Sequence, residues 1–296
     1  MIFVTKGIDM SLNEEKNKVE KSLLYLVATP IGNLSDITER ALKVLSEVDF
    51  VAAEDTRNSG LLLSRLGIKK PMVSYHDHNR AERGPEIVDR LKNGESCALI
   101  SDAGMPAISD PGEDLVALCA KEGITVSIVP GACAAVSALA LSGLSTRRFA
   151  FEGFLPGAGK ERKKRLTDIA REERTLIIYE APHRLKKTLA EFIEYFGADR
   201  RIALCRELTK LNEEILRFTL AGACEYYEST EPRGEYVLVI EGAPEVSEEE
   251  ESTNIAERAA ALMAGGMSQK DAIKTIVKET GLPKNKVYSK VLKNNE

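Results

Sequence analysis

The chain has 296 residues and a formal net charge of −5, with 43% hydrophobic and 29% charged residues, the balance of an ordinary globular protein. No apolar run approaches the roughly 18–20 residues that span a bilayer, which argues against a helical membrane protein. Five scattered cysteines without a C-x-x-C pair predict free thiols in a reducing, cytoplasmic setting. Residues 1–21 are polar and mixed in charge, lack the apolar centre of a signal peptide, and are expected to form a disordered extension. From 22 to 148, short apolar strands (LLYLVA, DFVAAE, MVSYH, CALISD, TVSIVP) alternate with helical patterns. SDITERALKVLSEV places Ile37, Ala41, Leu42, Val44 and Leu45 on one face behind a Ser/Asp cap, and 82–92, 112–122 and 132–143 also read as helices. The alternation predicts an α/β domain with a largely parallel sheet covered by helices. A second α/β domain is expected over 149–243, with strands RTLIIYEA, RRIALCREL and GEYVLVIEG and the helix HRLKKTLAEFIEYF. The acidic stretch 244–253 reads as a linker. Residues 254–296 read as a small helical, helix-turn-helix-like domain, with Ser268 capping one helix and Pro283 opening the next. This last segment has eight Lys/Arg against four Asp/Glu, so it is +4 while the rest of the chain is −9.

In an open α/β sheet, ligands lie beyond the carboxyl ends of the strands. The loops that follow the first five strands, TPIGNLSD, DTRNSG, DHNRAERG, AGMPAISDPG and GACAAVS, are rich in Gly, Pro and charge. They are expected to line one crevice, which favours an enzyme. SDAGMPAISDPG (Ser101 to Gly112) is stiffened by two prolines and freed at two glycines, as suits a loop holding backbone N–H and C=O groups against a ligand. No G-x-G-x-x-G follows the first strand, and neither a P-loop nor a nucleophile elbow is present. His76 and His78 of the HDH triplet read as hydrogen-bonded loop residues, and no metal is expected. The run KERKKR supplies Lys160, Arg162, Lys163, Lys164 and Arg165. With Lys284, Lys286 and Lys290 of the last segment, it is a candidate RNA-phosphate surface. The Ala272-to-Gly281 interval is longer than a tight DNA-binding turn, so contact with the backbone of folded RNA is expected.

ATPIGNLSDIT, EDTR, SYHDHN, SDAGMPAISDPG and PGACAAVSALALSGL resemble the tetrapyrrole-methylase-like superfamily. With FEGFLP, YEAPHR and RELTK added, the string is similar to the bacterial 16S ribosomal RNA ribose 2′-O-methyltransferase I family, in order, from about Ser22 to Gly242. The resemblance implies two α/β domains with S-adenosylmethionine in the cleft between them. It also implies 2′-O-methylation of a cytidine ribose in the 16S rRNA of the 30S subunit, and a homodimer. Cofactor contact is carried by motif onto Pro30, Asp102, Ala103, Gly104, Met105, Ile108, Cys133 and Ala134, and from the second domain onto Tyr179, Leu208 and Tyr236. Met105 stands where the family has a small hydroxyl residue, so contact there is expected through backbone groups. A ribose hydroxyl needs a proton acceptor, and Glu54, Asp55, Glu180 and Glu207 are candidates. Asp55 with Arg57 is the expected pair, and Glu180, Glu207 and Lys210 complete the expected catalytic set. Two other readings stay open: a tetrapyrrole (precorrin-type) C-methyltransferase, and a non-catalytic RNA-binding or assembly protein. The basic tail favours RNA over a small macrocycle.

Overall fold

The structure, a computed structural model, describes residues 18–244, 248–280 and 282–293. Most of the expected 1–21 extension, and Gly281, lie outside the described residues. The described end of that extension is not loose: Lys21 Nζ reaches Asp49 Oδ1 at 2.8 Å, and Val19 packs on the first core. The chain divides into two compact units at Gly242.

The first unit holds two sheets. In the first, β1 (Leu23–Val27), β2 (Phe50–Ala53), β3 (Met72–Ser74), β4 (Cys97–Ile100) and β5 (Thr125–Val129) are parallel, in the order β3-β2-β4-β1-β5. Side chains alternate across a strand, so a run buried on both faces must be apolar throughout. Leu23, Tyr25 and Val27 meet Val44 and Leu45 of α1 (Glu39–Glu47) and Leu63 of α2 (Thr56–Arg65). Leu24, Phe50 and Leu99 meet Ile87 and Leu91 of α3 (Arg80–Lys92) and Leu115 of α4 (Gly112–Lys121). Two local expectations change. Thr38 caps α1, its Oγ1 accepting the Ala41 N–H at 3.1 Å, whereas Ser35 and Asp36 sit in a separate 3-10 turn. The turn-like DTRNSG begins α2, because the Asp55 carboxylate accepts the Arg57 N–H at 2.8 Å and caps it.

The second sheet contains β6 (Phe149–Phe154), β7 (Thr175–Glu180), β8 (Arg201–Arg206), β9 (Glu214–Thr219) and β10 (Tyr236–Ile240), in the order β6-β7-β10-β8-β9. β10 runs antiparallel to both neighbours, so its start lies beside the ends of β7 and β8. One face packs on α6 (Gly159–Ile169), α7 (Pro182–Phe196) and α8 (Leu220–Ser229) through Leu166, Leu189, Phe192 and Leu220. The other face, with Ile177, Ala203, Val237 and Val239, packs on Ala135, Ala138 and Leu139 of α5 (Ala134–Ser142). By its place in the chain α5 belongs to the expected first domain; by its contacts it covers the second sheet.

The second unit has α9 (Glu248–Ala264), α10 (Gln269–Thr280) and α11 (Lys284–Lys293) around a core of Ile255, Ala259, Ile273, Ile276, Val287 and Val291. Ser268 caps α10, its Oγ accepting the Asp271 N–H at 3.2 Å. The expected linker over 244–253 is helical from Glu248. Glutamate has good helix propensity and is favoured in a first turn, where the helix dipole is positive. The boundary drawn at 254 therefore falls inside α9.

Arg162 corrects the proposed RNA surface. It shares the inner face of α6 with Leu166 and Ile169, and it is 2% exposed. Its Nε donates to Glu191 Oε2 at 2.7 Å, Nη1 to the Pro156 carbonyl at 2.9 Å and Nη2 to Thr188 Oγ1 at 2.7 Å. Every edge of the guanidinium is engaged inside the protein. Arg165 is half exposed and donates to Glu152 Oε2 at 2.7 Å, while Lys160, Lys163 and Lys164 are exposed. Removing one partner of a buried ion pair costs about 3–5 kcal/mol. Arg162→Ala should lose stability on that scale in a urea titration. A loss below about 0.5 kcal/mol, usual for a surface substitution, would show that the side chain is not an internal tie.

Candidate active site

The carboxyl ends of β1, β2 and β4 open, together with the ends of β6, β7 and β8 and the start of β10, onto a cleft of about 630 Å³. Ile31, Glu54 and residues 101–103 and 108–110 line it from the first sheet. Phe154, residues 179–183, Leu208, Lys210 and residues 235–237 line it from the second, and Ala134 of α5 also lines it.

Two loops build the walls with strained backbone. In the loop after β4, Ala107 and Ser109 have φ of +67° and +63°. The Asp110 side chain holds them there, Oδ1 accepting the N–H groups of Ala107 and Gly112, both at 2.8 Å. After β8, Glu207 and Thr209 have φ of +51° and +66°. Such conformations cost of order 1–3 kcal/mol each and gather at functional sites. The loops after β1 and β4 are joined where Thr29 and Gly104 exchange N–H···O bonds of 2.9 and 3.1 Å. The loop after β1 also presses on the one after β8, since a Cβ at Gly32 would collide with Thr209 and Lys210.

Of the expected cofactor residues, Asp102, Ala103, Ile108, Ala134, Tyr179, Leu208 and Tyr236 line the cleft. Pro30, Gly104, Met105 and Cys133 are not among its lining residues. Gly104 instead pairs with Thr29, and Cys133 is the residue before the first turn of α5. Burial pushes the Tyr179 hydroxyl up to about 12. Of the expected catalytic residues, Glu180 and Lys210 line the cleft, whereas Asp55, Arg57 and Glu207 do not. Asp55 is occupied: beyond its cap bond, Arg57 Nε donates to Oδ1 at 3.1 Å and Nη2 to Oδ2 at 2.7 Å. Those bonds from Arg57 hold the carboxyl down at about 2. Glu180 is 2% exposed, with Oε2 taking the Thr188 hydroxyl at 2.5 Å and Oε1 taking the Ala181 N–H at 2.9 Å and Arg184 Nε at 3.3 Å. Lys210 joins Glu207 at 2.9 Å to Glu235 at 2.7 Å. Burial raises the Glu207 carboxyl, but bonds from Lys210 and the Glu235 N–H outweigh it and the net shift is downward.

Glu54 is the carboxylate that is not tied down. It lines the cleft and makes no hydrogen bond among the described residues. Its pKa is raised because the cleft partly desolvates it and because Asp102, Asp110 and Asp77 add negative charge, with His76 acting in the opposite sense. Sequence reasoning passed over Ile31, Ser109, Phe154, His183 and Glu235. Phe154 and His183 lie inside the motifs FEGFLP and YEAPHR, and that is the signal that could have found them. Among the described residues, no group of three His, Cys, Asp or Glu side chains is placed to hold a metal ion, and no helix is long and apolar enough to cross a membrane.

Residues 23–224 match the family of Tetrapyrrole (Corrin/Porphyrin) Methylases. The ribosomal RNA small subunit methyltransferase I of Synechocystis is 47% identical over 271 residues, covering 90% of this chain and 96% of the relative. That of Haemophilus influenzae is 48% identical over 268 residues, covering 90% and 95%. Among solved structures, a uroporphyrin III C-methyl transferase from Thermus thermophilus superposes with a TM-score of 0.54 at 18% identity, covering 74% of this chain and 97% of that one, which is a likeness of fold.

The environment of Glu54 makes stability depend on pH. A folded chain whose carboxyl pKa is raised binds that proton more tightly than the unfolded chain, so stability falls as pH rises from the ordinary value of 4.5 through the raised one. Glu54→Gln removes the unfavourable charge. It should melt later than the wild type at pH 8, with the gain closing below about pH 4, where both states are protonated. Equal melting temperatures at pH 8 would show that Glu54 is not perturbed.

Proposed function

The chain belongs to the ribosomal RNA small subunit methyltransferase I family, and from that membership we propose that it methylates the ribose 2′-oxygen of a cytidine in 16S rRNA, using S-adenosylmethionine. The observation that carries the reading is the cleft itself. Its volume suits a nucleoside-sized ligand, and its lining combines apolar side chains at Ile108, Ala134, Leu208 and Tyr236 with the carboxylates of Asp102 and Asp110. An adenosine bearing a cationic sulfonium fits that combination of apolar wall and carboxylate. When bound, S-adenosylmethionine supplies an electrophilic methyl group. Asp102, Ala103, Ile108, Ala134, Tyr179, Leu208 and Tyr236 would hold it, and the positive end of α5 at Ala134 suits its carboxylate.

The protein's remaining task is to place and activate the acceptor. Rigid loops align the hydroxyl for in-line displacement, a contribution that can reach several kcal/mol. A proton acceptor works best when its pKa approaches the working pH, which favours Glu54 over the neighbouring Asp55. Glu180 and Lys210 shape the cleft wall around them. Lys160, Lys163 and Lys164 on α6, with Lys284 and Lys286 exposed on α11 and Lys290 beside them, suit rRNA phosphates. The tetrapyrrole alternative has no use for these lysines. A homodimer in the cytoplasm is part of the same proposal; the dimer is supported by the outer edge of β5, which pairs with no strand among the described residues and where Ile128 is 50% exposed.

Incubation with labelled S-adenosylmethionine and unmodified 30S particles should place label on ribose, read by nucleoside mass analysis. Label on a base or on protein would overturn the reading. Glu54→Gln should bind the cofactor normally and methylate roughly 10²–10⁴-fold more slowly, the range for a lost general base. Asp55→Asn should melt earlier yet turn over within a few-fold of wild type; the reverse pattern would return the proton to Asp55. Replacing Lys284, Lys286 and Lys290 by Gln should flatten the salt dependence of rRNA affinity by roughly one unit of log–log slope per lost phosphate contact. An unchanged slope would show that α11 does not touch the RNA backbone.

A further inference from the structure

Phe154 is a large apolar side chain that lines the cleft and is nonetheless 59% exposed. Single exposed apolar residues are common and need no explanation, but this one is set in place by a backbone device. The register of β6 against β7 shifts between Phe151 and Gly153, and Gly153 has φ of +62°. A Cβ at Gly153 would stand 2.8 Å from Ser109 Oγ, so only glycine allows the strand to bulge against the loop after β4. Bulges of this kind re-aim the neighbouring side chain. The Phe154 ring meets Tyr179 edge-on, with centroids 5.4 Å apart at 61°, and Phe151 meets the same Tyr179 at 5.1 Å and 72°. Phe154 is thus fixed by an aromatic cluster and still offers open ring surface to the cleft. Five residues further on begins α6, whose Lys160, Lys163 and Lys164 are exposed.

In an A-form helix the ribose 2′-hydroxyl lies at the shallow minor groove, and bringing it between the two walls of this cleft calls for the nucleotide to leave the helix. Enzymes that act on a base take its nucleotide out of the stack and hold the base against aromatic or apolar side chains. The geometry points to Phe154, braced by Tyr179, as the stacking platform for the base of the nucleotide being methylated, which makes an unpaired nucleotide the acceptor. This inference rests on the proposed RNA substrate. It assigns Phe154 to the acceptor base rather than to the cofactor.

The test uses the full chain and a short single-stranded RNA carrying pyrrolocytidine, whose fluorescence is quenched on stacking. Wild type should quench the probe. Phe154→Ala should abolish quenching and weaken affinity by roughly 5- to 150-fold, the range for removing one base–aromatic stack, while Phe154→Tyr keeps both. S-adenosylmethionine affinity, by calorimetry, should be the same in all three. An RNA abasic at the probe position should bind wild type more weakly by the same factor and Phe154→Ala no more weakly still, as expected for one shared contact. Unchanged quenching in Phe154→Ala, independent losses for the abasic RNA and the variant, or a loss confined to cofactor affinity would overturn the assignment. Quenching needs no turnover, so a wild type that quenches the probe but labels no ribose would keep the platform and overturn only the proposed reaction.

Discussion

Helix α5 follows the last strand of the first sheet, yet its inward residues Ala135, Ala138 and Leu139 lie on Ile177, Ala203, Val237 and Val239 of the second. One half of the chain therefore supplies the cover for the other half's sheet. Without α5 that face would leave an apolar surface in water, so the second sheet cannot complete its core by itself. The small alanines allow close approach, and the same contact fixes where the loops after β1 and β4 meet the ends of β7 and β8. The cleft exists because this packing sets the two sets of strand ends against each other.

Close approach explains where the backbone is strained. Where the loop after β1 faces the loop after β8, Gly32 leaves room for Thr209 and Lys210; where β6 faces the loop after β4, Gly153 leaves room for Ser109. On the opposing loops, non-glycine residues Ala107, Ser109, Glu207 and Thr209 occupy the left-handed region. Each seam thus pairs a glycine that yields space with a side-chain-bearing residue held at positive φ. Asp110 holds its loop through two backbone bonds, and the Glu207–Lys210–Glu235 group holds the other. A preorganised wall of this type loses little freedom when a ligand arrives.

The parallel sheet was legible because runs such as LLYLV and CALI are buried on both faces, and apolar runs broken by helical periods have few other solutions. β9 was not legible: EILRFT is an edge strand with partly exposed residues, a charge at its first residue Glu214 and another inside it at Arg217, which masks its alternation. α2 was hidden by Asn58, Ser59 and Gly60, which resemble a turn until Asp55 is recognised as a cap. Arg162 shows the opposite failure. A run of six charged residues draws attention as a block, yet positions 162, 166 and 169 share one helical face, and Leu166 and Ile169 already marked that face as inner. The expected loop after β3 is not among the lining of the crevice, but crowding of the strand-end loops after β1, β2, β4 and β5 into it could be read from sequence. Which carboxylate stays unpaired there could not, since it depends on partners such as Arg57, Arg184 and Thr188 that only the folded chain brings into place.

Glu54 and Asp55 show how one step along the chain separates two chemistries. At the end of β2 the backbone leaves the sheet and turns into α2. Asp55 is the residue whose side chain can reach back to the Arg57 N–H, and its cap bond, reinforced by the Arg57 guanidinium, keeps it charged to about 2. Glu54, one residue earlier, lines the cleft, where partial desolvation and the like charge of Asp102 and Asp110 from the loop after β4 raise its affinity for a proton. Two adjacent acids thus have their affinities for a proton pushed in opposite directions by the same turn. An acid stabilised as an anion is a good cap and a weak base; an acid destabilised as an anion is a poor structural group and a better proton acceptor. A cap that orders α2 and a carboxylate with a raised affinity for its proton are consequences of a single strand-to-helix junction.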